Sequence, residues 1–148
     1  MKPFGKEQFL ILGCFTGLVL LSGCGEAEPE VCGSLETRNS IVKIIANDNN
    51  NALVNYAAKN SNAVAAMVGD TNVEAEKLTI LENAKRGAVY TLDDTIVAKS
   101  KDRATHSVTC IGFLDVTVED TTAQKEVEFR VEQTTDGKML VSVNPFLF

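Results

Sequence analysis

Hydrophobic positions along the chain follow three regimes. From Phe9 to Leu21 they run almost without a break. From Leu35 to Ala84 they recur at roughly helical spacing, and from Val89 to Asn144 they alternate with polar residues at a period of two. In the helical regime Ser34 stands as an N-cap. Leu35, Arg38, Ile41, Val42, Ile44 and Ile45 then mark a stripe ending near Ala46. Asp48, Asn49, Asn50 and Asn51 form a turn. Residues 52–68 are expected to be a second helix, carrying Leu53, Tyr56, Ala57, Val64 and Met67, with an interruption at residues 60–62. After Gly69 and Asp70, Thr71 and Glu74 have the spacing of a capping box. They predict a third helix, with Leu78, Leu81 and Ala84 on its buried side and Gly87 at its C′ position.

The period-two regime predicts four strands: residues 89–98, 104–118, 125–133 and 138–144. Residues 100–103, 119–122 and 134–137 are the turns, and the last contains the Asp136-Gly137 pair favoured in hairpins. The third strand alternates most regularly, with Val127, Phe129 and Val131 on one side and Glu126, Glu128, Arg130 and Glu132 on the other. Helices followed by an antiparallel meander imply an α+β fold, with one sheet face covered and the other wet.

The first apolar run spans only residues 9–21, whereas a membrane-crossing helix needs about 20. Its lysine flanks, Lys2 and Lys6, suit a signal peptide. Leu21, Ser22, Gly23 and Cys24 follow directly and match the lipobox of bacterial lipoproteins at every position. The small Ser22 and Gly23 admit the backbone to a peptidase site, and Cys24 supplies the sulfur for a thioether to diacylglycerol. The resemblance implies cleavage before Cys24 and acylation of its new amino group. Each buried CH₂ contributes about 0.8 kcal/mol, so two or three acyl chains hold a protein durably. It also implies a cell-envelope location. Gly25 departs from the Asp that keeps such proteins at the inner membrane, so the outer membrane facing the periplasm is expected if the cell has two membranes.

On this reading residues 1–23 are removed, residues 24–33 form a lipidated start and acidic tether, and residues 34–148 form one α+β domain. The length of 148 residues allows one ordinary domain. The tether residues 25–31 are expected to be extended and solvated. Cys14 leaves with the signal segment and Cys24 is lipidated, so Cys32 and Cys110 remain. In an oxidising compartment they read as a disulfide. The competing readings are two buried free thiols or half of a metal site, for which no further Cys or His cluster is present.

The order of elements resembles the cystatin-like and nuclear-transport-factor-2-like cone found among small envelope lipoproteins. That resemblance rests on element order and length over residues 34–144, and it implies a curved sheet that can enclose a pocket with its helices.

Net charge is −6 for the whole chain, and no cluster of Lys and Arg interrupts it. That excludes nucleic acid as an expected partner, because phosphate neutralisation needs a basic surface. Membrane attachment is expected through the Cys24 lipid. The one histidine, His106, excludes any site needing two. As a general base it would need an orienting carboxylate, for which Asp102 and Asp94 are the candidates. No nucleophile motif or phosphate-binding loop accompanies it. Asp93 with Asp94 and Glu119 with Asp120 are carboxylate pairs, but strand neighbours point to opposite faces and Glu119-Asp120 suits a turn. No catalytic residue, metal site or cofactor is expected.

Two features are candidates for contact with a partner. The stripe Glu126, Glu128, Arg130 and Glu132 is either a solvated face or a docking surface for a basic protein. Phe146, Leu147 and Phe148 either close the core or mark a contact. The leading expectation is a non-enzymatic, lipid-anchored envelope protein that binds an envelope or foreign protein. The rivals are a carrier or sensor for a small apolar ligand held between sheet and helices, a structural lipoprotein, and a cone-fold enzyme.

Overall fold

The computed structural model describes residues 28–144. The lipobox residues Leu21, Ser22, Gly23 and Cys24, the rest of the signal segment, and the tail residues Phe146, Leu147 and Phe148 lie outside the described residues. Among the described residues five helices, α1 Glu28–Gly33, α2 Leu35–Ala46, α3 Ala52–Asn60, α4 Asn62–Gly69 and α5 Glu74–Arg86, precede five strands. The strands are β1 Val89–Leu92, β2 Val97–Asp102, β3 Ser107–Val118, β4 Thr121–Gln133 and β5 Met139–Val143. The fold is therefore α+β, with N-terminal helices and a C-terminal antiparallel sheet. Among the described residues no helix is long and apolar enough to cross a membrane.

The starts of α2, α3 and α4 each have a local cause. The Ser34 hydroxyl accepts the Thr37 amide and donates to the Thr37 hydroxyl, which in turn donates to the Val31 carbonyl and joins α1 to α2. Asn51 accepts the Val54 amide at 2.9 Å and donates to the Asp48 carbonyl at 2.7 Å, starting α3 and closing the turn before it. Ser61 does the same for α4, accepting the Val64 amide at 3.1 Å. The interruption expected at residues 60–62 is thus a full break, and residues 52–68 form two helices rather than one.

The α5 start differs from the expected capping box. Its N-cap is Val73, with no side-chain hydrogen bond, while the Thr71 hydroxyl accepts the Val73 amide and donates to Glu76 instead of pairing with Glu74. Gly87 ends the helix with an ordinary φ of −78°, so it serves as C-cap without the left-handed turn expected of a C′ glycine.

The sheet order is β1-β3-β4-β5, and β2 also pairs with β3. β1 lies against residues 114–117 and β2 against residues 107–111 of the same edge of β3. The single first strand expected over residues 89–98 is therefore a longer edge, broken at residues 93–96. The expected turn at residues 100–103 is displaced to residues 103–106. At the break Leu92 and Ile96 both lie over Gly112, where an added Cβ would sit 3.3 Å from Ile96 and 3.4 Å from Leu92. A side chain there would have to displace core atoms. Arg38 of α2 secures the break, pairing with Asp94 at 2.6 Å and donating to the Leu92 carbonyl. The Asp136-Gly137 turn forms as expected, with Gly137 at φ 80°.

α1, α2 and α3 pack on one face of the sheet, while α4 and α5 pack on each other and on α3. The core joins Ile41, Ile45, Leu53, Val54 and Ala57 of the helices to Leu114, Val116, Val127, Phe129 and Val131 of the strands. Cys32 of α1 belongs to this core and is bonded to Cys110 of β3, with Cα atoms 6.0 Å apart. The expected extended tether is corrected by this contact. Residues 28–33 are helical, and burial of Cys32 draws the packed body back past residue 34.

The β3–β4 turn is fixed to the helices through Asp120. It accepts the Ser61 hydroxyl at 2.5 Å and the Ala63 amide at 3.3 Å, and these bonds hold its carboxyl below the ordinary aspartate value of 3.8. A depressed carboxylate contributes stability above its unfolded pKa and loses it as pH falls through the folded value. The urea midpoint of the parent should exceed that of Asp120→Asn at pH 7, and the gap should shrink at about pH 3. The disulfide closes a sequence separation of 78 residues. The loop-entropy model assigns such a closure about 4.5 kcal/mol, so replacing both Cys32 and Cys110 by Ser should cost about 2–4 kcal/mol in denaturant unfolding.

Candidate binding surface on the open sheet face

Strand alternation divides the sheet sharply. On β3 the side chains at positions 108, 110, 114, 116 and 118 are buried against the helices. Thr109, Ile111, Phe113, Asp115 and Thr117 therefore face the other way. On β4, Val127, Phe129 and Val131 are buried, leaving Glu126, Glu128, Arg130 and Glu132 on the open face, as the alternation predicts. The register sets Val97, Ile111 and Glu128 in one row, Phe113 beside Glu126, and Leu140 beside Glu132.

The result is an apolar strip of Val97, Ile111 and Phe113 beside Glu126 and Glu128, with Leu140 apart from it, beside Glu132 at the Ser107 end of the sheet. Phe113 is 40% exposed, Leu140 55% and Val97 59%. Ile111, between Val97 and the β4 row, is half-buried. The charged groups around the strip differ in their commitments. Glu128 is paired with Lys99 and accepts the Asn144 side-chain amide at 2.9 Å. The hydrogen bond to Glu128 raises the Lys99 ammonium above its ordinary value. Arg130 donates to the Thr105 hydroxyl at 2.9 Å. Among the described residues the side chains of Glu126 and Glu132 make no ion pair or hydrogen bond, while the charge of Glu126 adds to the raising of Lys99. The open face thus presents the Phe113 ring with Val97 and Ile111 beside Glu126, and, apart from them, Leu140 beside Glu132.

The edge beyond Val97 is poorly suited to pairing with another strand. It breaks at residues 93–96, shifts register between Ala98 and Ser100, and carries Lys99, Lys101 and Asp102. Breaks, bulges and charge are the devices that keep a sheet edge from adding strands. A contact made here therefore uses side chains on the face.

The groups weighed for acid–base chemistry are bound to separate structures. Asp94 is ion-paired to Arg38. Asp102 is held below the ordinary aspartate value by the Thr105 side chain and the Ala104 amide. Asp93 is likewise lowered, chiefly by the Thr95 amide. His106 is exposed in the turn after β2, and among the described residues it accepts or donates no side-chain hydrogen bond to a carboxylate. Among the described residues no group of three His, Cys, Asp or Glu is arranged to hold a metal ion.

Val97, Ile111, Phe113 and Leu140 are candidate surface residues that the stripe alone does not reveal. For Ile111 and Phe113 the signal is the apolar character of both parities in residues 108–114, where a one-face strand should show polar residues. Comparison with protein-family models, curated proteins and solved structures finds no match.

The two faces predict opposite costs. Phe113→Thr should change unfolding free energy by about 1 kcal/mol or less. Phe129→Ala, from a side chain 1% exposed, should cost about 3–5 kcal/mol. Urea denaturation of both variants checks the difference.

Proposed function

We propose that the chain is a lipid-anchored cell-envelope lipoprotein whose α+β domain binds another protein through the open sheet face and catalyses no reaction. The lipobox at Leu21, Ser22, Gly23 and Cys24 supports the anchor, and Gly25 favours the outer membrane of a two-membrane cell, facing the periplasm. The observation that carries the binding role is the exposed strip of Val97, Ile111 and Phe113 beside Glu126, with Leu140 and Glu132 farther along the same face. Protein interfaces place aromatic and aliphatic side chains centrally and polar ones at the rim. The matching partner is an envelope or foreign protein with an apolar centre and basic groups around it, since opposite charge aids encounter and register.

Anchoring and face act together in this reading. The lipid confines the protein to the membrane surface, and the disulfide fixes α1, the helix nearest the anchor, to the central strand of the sheet. The face is therefore presented from a rigid body rather than from a loose chain. The partner's binding energy then resides mainly in a few central side chains, of which Phe113 is the largest.

Crosslinking in cells followed by affinity recovery of the full chain tests this. A reproducible protein partner is expected, reduced about tenfold or more by Phe113→Ala. The paired change Glu126→Lys with Glu132→Lys should lower it as well. Leu35→Thr, at an exposed position on α2, should leave it unchanged. Equal recovery from every variant, or no reproducible partner, contradicts the reading. For the anchor, Cys24→Ala should leave the precursor unlipidated and unprocessed, and normal processing would contradict it.

A further inference from the structure

The sheet's helix-covered face holds a cavity of about 240 Å³ beside α1, at the end where β2 turns into β3. Buried Val108 and Val131, with half-buried Val31 and Met139, form its apolar floor. The exposed side chains of Lys101, His106 and Gln133 stand at its rim. No carboxylate is among the described residues that line it.

The placement of His106 is built into the turn. Its backbone lies at φ 49°, a left-handed conformation that His, Asn and Asp adopt more readily than other side chains. Its carbonyl accepts the Gln133 amide at 3.1 Å, so β4 pins the residue from below. The neighbouring polar groups are tied to one another. Asp102 accepts the Ala104 amide, the Thr105 and Ser107 hydroxyls are 2.8 Å apart, and Arg130 donates to Thr105. The imidazole takes no part in that network and lines the cavity instead.

An apolar floor favours a hydrocarbon, and an imidazole N–H at the rim favours a carboxylate, the stronger acceptor, as its polar end. The volume falls below the roughly 300–1,000 Å³ of sites for larger organic ligands, so the hydrocarbon must be short. We infer that this cavity binds a short fatty-acid-like carboxylate, its chain against Val108, Val131 and Met139 and its carboxylate against His106. The cavity and the open face lie on opposite sides of the sheet, so this inference stands independently of the proposed protein partner.

A diazirine-bearing octanoate provides the probe, applied to the full chain in isolated membranes, with labelled peptides mapped by mass spectrometry. Labelling should saturate and concentrate on the segments carrying Val108, Val131 and Met139. Excess octanoate should suppress it and octanol should not. Met139→Trp, which fills the cavity, should abolish it. His106→Asn keeps a residue suited to the left-handed turn and removes the imidazole. It should raise the half-saturating concentration about tenfold, the cost of one hydrogen bond to a charged group. Labelling that does not saturate, that octanol suppresses equally, or that His106→Asn leaves unchanged overturns the inference. The last comparison decides the matter even if Met139→Trp fails to fold.

Discussion

The pairing of β3 with β4 is the constraint on which everything else depends. It runs without interruption from Ser107 opposite Glu132 to Val118 opposite Thr121. Because side chains alternate with a period of two, a slip of one residue would send Phe129 to solvent and Glu128 to the core. The register is held at both ends and in the middle. Asp120 binds the turn to the start of α4, Cys110 is bonded to Cys32, and Gln133 donates its amide to the carbonyl of His106. Core and open face are therefore set by one choice of register, and no residue of either can change sides alone.

That choice leaves the molecule asymmetric. Helices α1, α2 and α3 bury the aliphatic side chains of one sheet face, and nothing among the described residues packs on the other. A solvated face would ordinarily be polar throughout. Here Ile111 and Phe113 interrupt the polar positions of β3, with Glu128 and Glu126 directly beside them. Desolvating Phe113 against a partner would recover burial that the isolated fold forgoes, and the acids would select a basic rim. The edge strand, broken at residues 93–96 and shifted at Lys99, resists strand addition, so the proposed association would fall to the face instead of the rim of the sheet.

Most of the architecture was legible in the chain because its signals were local. Ser34 and Asn51 cap helices that the apolar stripe also predicts, Asp136-Gly137 makes the hairpin, and residues 126–132 alternate cleanly. The misreadings come from tertiary effects. Residues 25–31 read as a solvated acidic tether, but helix α1 forms where Cys32 is drawn into the core. Residues 89–98 read as one strand, because nothing in that stretch reveals that Gly112 on a neighbouring strand leaves room for both Leu92 and Ile96. Thr71 and Glu74 have capping-box spacing, yet Glu76 takes the Thr71 hydroxyl. The acidic stripe was visible by alternation. Its apolar companions became a surface only when pairing placed Val97 and Leu140 in the same rows as β3 and β4.

Fluorine NMR of the full chain in native envelope membranes tests the open face most directly, with the phenylalanines replaced by fluorophenylalanine and Phe113 and Phe129 assigned by substitution. The account predicts that the Phe113 resonance shifts or broadens when the envelope is present and returns on purification, while the Phe129 resonance stays in place. A Phe113 resonance identical in both settings would contradict it.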